Sequence, residues 1–482
     1  MKQKFNFCLL IILCIFSFSF GQSKKWTLEE CVNYALENNI SIKQSALDNQ
    51  VSTISKKDAF GNFLPTINAQ ASHSWNIGLN QNITTGLLEN QTTQFTSAGL
   101  NVNVDIYKGL QNQNRLRKAN LSIIGSQYQL IKMQEDVSLN VVNAYLQILF
   151  NKENLKVQRE QLAFDSKQLT RTTELVEAGV IPRGDLLDVK ATVAADNQRL
   201  IAAENALFLS KLSLAQLLQL ENFQEFDIAD DNLAVKESSI LMQKPEAILA
   251  KAKETRTDLK IANANVEIAR SDVKIAKGAY TPTLNGFYSF NTRAGYSDKF
   301  IGLEQNTANP FSPSGNLVNV GGIIYPVLQP NVKPILGNPD GVFTQFNDNK
   351  GQNFGLNLNI PILNGFSVKN NVARSKVALE RSKIALEQQE LDLERTVFTA
   401  YTDTNGALKS YESAVSALEA REQSFNYAKE RYEVGIMNSF DFNQAQTLFV
   451  NAQSEVVRTK YDYIFRTKIL EFYFGIPIIQ KK

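Results

Sequence analysis

The 482-residue sequence predicts a mixed fold. A few β-strands per chain contribute to a membrane β-barrel, very long α-helices close into a helical barrel, and the unit is written twice in tandem. Three observations predict this: an internal repeat, strands of period two, and proline-free heptad segments.

The repeat is read directly. Leu64-Pro65-Thr66-Ile67-Asn68 returns as Thr281-Pro282-Thr283-Leu284-Asn285, 217 residues later. Further on the offset becomes 256: Gly99-Leu100-Asn101 returns as Gly355-Leu356-Asn357, Gly109 as Gly365, Gly179 as Gly435 and Asp185 as Asp441. A period this long means two copies of one large supersecondary unit. The predicted order is a signal peptide over 1–21, repeat one over 22–220, a linker over 221–244 and repeat two over 245–477.

The first element is a secretory signal. Lys2 and Lys4 precede the apolar run Phe7 to Phe20, and Ser19-Phe20-Gly21 offers a small-x-small cleavage site. Cys8 and Cys14 lack the small-residue context of lipidation. The formal charge of +2 comes from Lys2 and Lys4, so the exported part is neutral, which excludes a nucleic-acid partner needing a basic face. Only Cys31 survives processing, so no intrachain disulfide forms. Its repeat partner, Ile248, marks Cys31 as a small buried hydrophobe.

Each repeat then reads helix, helix, strand, loop, strand, very long helix, turn, helix. Helices cover Thr27 to Asn38 and Ser41 to Gly61, and again Pro245 to Arg256. Strands are expected at about 66–80 and 97–107, then at 283–296 and 354–363. Ile67, Ala69, Ala71, His73, Trp75, Ile77 and Leu79 share one face, with Asn68, Gln70, Ser72, Ser74, Asn76 and Asn80 on the other. Leu100, Val102, Val104 and Ile106 oppose Asn101, Asn103 and Asp105; Leu356, Leu358, Ile360 and Ile362 repeat the pattern. Such alternation fits a sheet with one dry and one wet side, the dry side facing a core or lipid. The signal peptide and the helices favour lipid. Four strands cannot close a barrel, because the smallest membrane barrels have about eight, so several chains must share one. Three chains give twelve strands. The region 297–353, rich in Pro, Gly and Asn, is expected to be a long surface loop.

From Leu110 to Ala178 there is no proline and one glycine, Gly125. At about 1.5 Å per residue such a helix is roughly 100 Å long. Leu155, Leu162, Leu169 and Val176 recur every seven residues, as do Tyr411, Leu418, Phe425 and Tyr432. This is a coiled-coil seam. Nearer the strands there are two stripes, Val377, Ile384, Leu391 and Phe398 beside Leu379, Leu386, Leu393 and Ala400. Two stripes let one helix contact a neighbour on each side, as a closed ring requires. The linker carries Glu221, Glu225, Asp227, Asp230, Asp231 and Glu237 against Lys236, and reads as a solvated acidic belt.

No catalytic constellation, cofactor motif or metal-ligand cluster is visible. His73, the single histidine, has Phe290 as its repeat partner and reads as a packed or outward aromatic. The informative polar positions are the turns near 179–185 and 435–441. Gly179 and Gly435 suit helix C-caps, and Asp185 and Asp441 favour the positive end of the next helix. Capping leaves Val180-Ile181 and Ile436-Met437 unexplained at the end of a rod, and exposed apolar tips point to a partner.

The duplicated layout, Leu64-Pro65-Thr66-Ile67-Asn68, Gly99-Leu100-Asn101-Val102-Asn103 and the Gly-x₅-Asp turns together resemble the TolC-type outer-membrane efflux channels over about 26–477. The resemblance implies a homotrimer in outer-membrane lipid, with a shared twelve-stranded barrel and a twelve-helix periplasmic tunnel. It implies a passive, non-enzymatic exit duct that docks a periplasmic adaptor (membrane fusion) protein and an inner-membrane pump. Carried over, Gly179, Val180, Ile181, Gly435, Ile436 and Met437 form the adaptor-contacting tip. Asp441 joins an acidic ring at the periplasmic gate and Tyr432 helps latch it. The chain departs at Gln444, where the family has an acid, and at Met437, where it has an arginine. Asp188 and Arg183 on the other hairpin are the residues available to compensate, and the expected gate set is Asp441, Gln444, Asp185, Asp188 and Tyr432. The alternatives are an outer-membrane component for protein secretion or metal-ion efflux, and a secreted coiled-coil scaffold.

Overall fold

A computed structural model describes residues 25–81, 86–229, 235 and 238–476. The expected signal peptide lies outside the described residues, as do Asp230, Asp231, Lys236 and Glu237. In order the elements are β1 (Lys25–Trp26), α1 (Leu28–Asn38), α2 (Ile40–Gly61), β2 (Thr66–Gln81), β3 (Leu88–Lys108), α3 (Gln111–Glu177), α4 (Arg183–Leu218), β4 (Asp227–Ile228), α5 (Pro245–Thr255), α6 (Thr257–Gly278), β5 (Thr283–Gly295), β6 (Lys299–Gln305), β7 (Phe311–Val320), β8 (Ile323–Pro330), β9 (Val332–Gly337), α7 (Val342–Asp348), β10 (Gly351–Asn359), α8 (Ser367–Glu433) and α9 (Ser439–Phe474). The helices α1, α2, α3 and α4 have 11, 22, 67 and 36 residues; α5, α6, α8 and α9 have the same four lengths. No described helix is long and apolar enough to cross a membrane.

The chain divides into two compact units, one of residues up to 55, 118–270 and 376 onward, the other of 56–117 and 271–375. In the first, Thr27 opens α1 with a capping box: its hydroxyl accepts from the Glu30 N–H, and the Glu30 carboxylate accepts from the Thr27 N–H. This unit buries equivalent positions of the two repeats in separate cores. Cys31, Ala35, Ile42, Val137, Val141 and Leu214 lie in one. Their partners Ile248, Ala252, Leu259, Leu393, Val397 and Leu470 lie in the other. Cys31 is fully buried, as Ile248 is, which accounts for an apolar residue in its place.

The acidic belt needs correction. Phe226 and Ile228 are buried in the first core, and β4 pairs in parallel with β1. Asp227 sits between Lys152 and Lys211 at 3.0 and 2.8 Å, and the Tyr145 hydroxyl donates to the Ala229 carbonyl. The apolar residues flanking Asp227 make this stretch part of the packing, and its charge is neutralised there.

In the second unit β2, β3, β5 and β10 form one antiparallel sheet in the order β10-β5-β3-β2. The register aligns like with like. Ile67 faces Val102, Val102 faces Tyr288 and Tyr288 faces Phe354. One position along, Asn68, Asn101, Ser289 and Asn353 form an amide and hydroxyl row, in which the Ser289 hydroxyl donates to Asn101 Oδ1 at 2.9 Å. Residues directly opposite share a face, so one face of the sheet is largely apolar and the other largely polar. A bulge between Asp105 and Tyr107 ends this alternation in β3.

Three expectations about this unit change. β3 starts at Leu88 and not near 97, because polar residues such as Gln91 and Thr93 pair across the hairpin with Gly78 and Asn76. β10 stops at Asn359, leaving Ile360 and Ile362 outside it; Pro361 has no N–H for a ladder and restricts the residue before it. The region 297–353 is not a structureless loop. β6 pairs with β9 and β7 with β8, turning at Gly321-Gly322, both at positive φ as a tight hairpin turn requires. Composition hid these strands, because Pro and Gly are scattered through them.

Strand-to-helix turns are alike in the two copies. Gly109-Leu110 and Gly365-Phe366 all have positive φ. At Gly109 an added Cβ would lie 2.2 Å from the Gly278 carbonyl oxygen, so no side chain fits.

Candidate gate at the hairpin tips

The two long-helix hairpins, α3–α4 and α8–α9, turn in the same way. At the first, Gly179 has φ of 73°, its N–H donates to the Val176 carbonyl, and the Val180 N–H donates to the Leu175 carbonyl. At the second, Gly435 has φ of 78°, with the matching bonds from Gly435 to Tyr432 and from Ile436 to Arg431. These are Schellman caps, in which an apolar residue commonly follows the glycine. The cap explains an apolar residue at Val180 and Ile436 but does not cover either: each is 66% exposed. Ile181 and Met437 are half-buried. Val434 and Phe440 add to the exposed apolar surface of the second tip.

The equivalent aspartates do different work. Asn438 caps α9 by accepting from the Asp441 N–H at 2.8 Å, and its amide donates to Asp441 Oδ2 at 2.9 Å. Asp441 is exposed and held within its own turn. Pro182 precedes α4 and gives it no side-chain cap. Asp185 instead accepts from the Ser439 hydroxyl at 3.2 Å, joining one hairpin to the other. Both aspartates lie in the first turn of their helices, as expected, but only Asp441 is tied to a capping side chain, that of Asn438. Asp188, Gln444 and Arg183 are exposed. The structure brings none of these three against Asp441 within the chain.

Tyr432 is a second link. Its hydroxyl accepts from Gln168 Nε2 at 3.0 Å, and its ring stacks on Phe442 at 4.6 Å. Phe442 packs in turn near Phe164 and Phe425, and Phe425 stacks on Phe449 at 5.1 Å. Sequence reasoning missed Gln168, Ser439 and this aromatic knot. Phe425 was visible in the heptad; its partners Phe164, Phe442 and Phe449 lie on two other helices, and nothing in their spacing joins them.

Comparison with known proteins supplies what geometry does not. The family model described as "Outer membrane efflux protein" matches residues 31–219 and 248–472, most of each repeat. The chain belongs to the outer membrane efflux protein family. Among curated relatives of this efflux family, the outer membrane protein TolC of Vibrio cholerae is 24% identical over 449 residues, covering 91% of this chain and 88% of the relative. The cation efflux system protein CusC of Escherichia coli O157:H7 is 26% identical over 266 residues, 53% of each chain. Solved structures share the fold. The outer membrane protein VceC of Vibrio cholerae aligns with TM-score 0.73 at 14% identity, over 93% of this chain and 96% of that one. The CmeC outer membrane channel of Campylobacter jejuni gives 0.71 at 18%, over 93% and 85%. The protein is thus a TolC-type efflux protein of the outer membrane, and the predicted resemblance holds.

Proposed function

We propose that three copies of the chain form one passive exit duct, a twelve-stranded barrel in the outer membrane continued by a twelve-helix periplasmic tunnel. It performs no chemistry. A periplasmic adaptor and an inner-membrane pump feed it, and small molecules leave through it. The observation that carries this reading is the four-stranded sheet, with its register-matched apolar and amide rows. Four strands leave β2 and β10 as edges, and an open edge in hydrocarbon is too costly to persist. Pairing β2 of one copy with β10 of the next closes the ring.

The helices support the same assembly. Leu393 is buried in the second core, while Val377, Ile384 and Leu391, seven residues apart, remain exposed. A neighbouring copy is the natural cover for a heptad stripe. In this reading Asp441, Gln444, Asp185, Asp188 and Tyr432 form the periplasmic gate, and Asp441 from three chains makes an acidic ring. Gly179, Val180, Ile181, Gly435, Ile436 and Met437 meet the adaptor.

Reconstitution in planar bilayers tests the proposal. Discrete conductance steps are expected, with cation block weakened in Asp441→Asn. Absence of steps rejects the duct, and unchanged block removes Asp441 from the constriction. A second reading, cation export, is favoured by the similarity to a cation efflux protein. Expression in a host lacking its own duct separates the cargoes: restored tolerance to organic toxicants supports small molecules, and restored tolerance to metal salts alone supports cations.

A further inference from the structure

A buried polar node lies between the two hairpins, apart from the tips. Asp165 of α3 is 2% exposed, Asp196 of α4 is 1% and Gln446 of α9 is 2%. Asp165 Oδ1 accepts from Gln446 Nε2 at 2.8 Å, and Asp165 Oδ2 accepts from Gln161 Nε2. Asp196 Oδ1 accepts from Arg199 at 3.0 Å. Two buried atoms have no donor: Asp196 Oδ2 and Gln446 Oε1. Both residues line a cavity of about 270 Å³ together with Thr192, Asn443 and Asn451.

An ionised carboxylate oxygen without a donor is expensive at this depth. Gln161 and Gln446, the two donors to Asp165, line the same cavity as Asp196, so the two buried carboxyls share one polar node. Two ionised carboxylates would share the half-exposed Arg199 as their nearby cation. A proton on Asp196 Oδ2 removes both costs, because it cancels one charge and supplies a donor to Asp165. We propose that Asp165 and Asp196 hold one proton between them, and that this shared proton clamps α3, α4 and, through Gln446, α9.

The surroundings of Asp196 favour its protonated form. Burial, then the hydrogen bond and charge of Asp165, push Asp196 up to about 7 from 3.8, and Arg199 opposes the rise. The charged groups acting on it are Asp165 on α3 and Arg199 on α4, while the α9 residues lining the cavity, Asn443, Gln446, Thr447, Val450 and Asn451, are neutral. The folded state keeps a proton that the unfolded chain has released. The clamp's contribution is therefore full below about 3.8 and is lost as pH rises through about 7. Mild alkalinity loosens the packing of one hairpin on the other.

The test uses the full-length protein in detergent. Its melting temperature should fall between about pH 5 and about pH 8, and Asp196→Asn, whose amide donates to Asp165 at any pH, should flatten that fall. Equal slopes in the two proteins overturn the proposal. Infrared difference spectroscopy of the unaltered protein gives a second readout that needs no variant. A protonated carboxylic acid band that disappears on raising the pH through about 7 supports the clamp, and its absence at about pH 6 contradicts it.

Discussion

The Ser439 hydroxyl donates to Asp185 Oδ1 across 254 residues of sequence, tying the start of α9 to the start of α4. Asp441, the repeat partner of Asp185, makes no such bond and is held by Asn438 instead. Two identical residues at equivalent turns therefore have different roles, one joining hairpins and one closing its own. A hydrogen bond to a charged group contributes roughly 1.5–3 kcal/mol, so Ser439→Ala should shift tip opening by about tenfold or more. Single-channel recordings should show a larger or more frequent open state in Ser439→Ala than in the unaltered protein. Identical recordings assign the bond to packing alone.

A charged network holds the break between α5 and α6. Arg256 lies almost fully buried, with Asp258 at 2.9 Å, Glu135 at 3.5 Å and the Phe472 ring 4.1 Å below its guanidinium. Burial alone raises the Asp258 pKa, but Lys132 and Arg256 outweigh it and hold the carboxyl below its usual value. Its stabilisation is present above the ordinary carboxylate range and lost as pH falls through the lowered value. Asp258→Asn should therefore melt earlier than the unaltered protein at neutral pH and at nearly the same temperature at about pH 2. Arg256→Ala leaves Glu135 without this cation while Asp258 keeps Lys132, and should cost about 1–3 kcal/mol by denaturant unfolding.

The two faces of the sheet should respond oppositely to charge. Ile67→Arg places a cation in the apolar row at the start of β2 and should cost up to about 1 kcal/mol, while Asn101→Arg in the amide row should be tolerated. Urea unfolding in lipid vesicles measures both. Equal costs would mean that the apolar face does not meet lipid.

Cys31 offers a chemical check on the first core. Burial foremost, then the charge of Glu30, pushes its thiol up to about 12. Alkylation by a maleimide near neutral pH should be at least about tenfold slower in the folded protein than in denaturant. Mass spectrometry of the Cys31 peptide follows it, and rapid labelling of the folded form rejects the burial.

Much of this was legible in the sequence, for physical reasons. Helices α3 and α8 are long, free of proline and periodic, and the ends of α3 lie within a residue of those expected. Strand β2 alternates strictly and was read almost to its bounds. The start of β3 was missed because polar residues such as Thr93 form ladder bonds that leave no hydropathy signal. Strands β6 to β9 were hidden by prolines in a segment whose strands pair only with each other. At the tips the caps and aspartates were visible as spacing. The link from Asp185 to Ser439 was not, because it depends on how two hairpins pack and on which of two like residues turns outward.

In the proposed duct one chain supplies a third of a barrel. Native mass spectrometry of the protein released from detergent micelles tests it most directly. A predominant assembly of three chains is predicted. A single chain that keeps its strand content without partners would contradict the account, because four strands with two open edges cannot span a membrane alone.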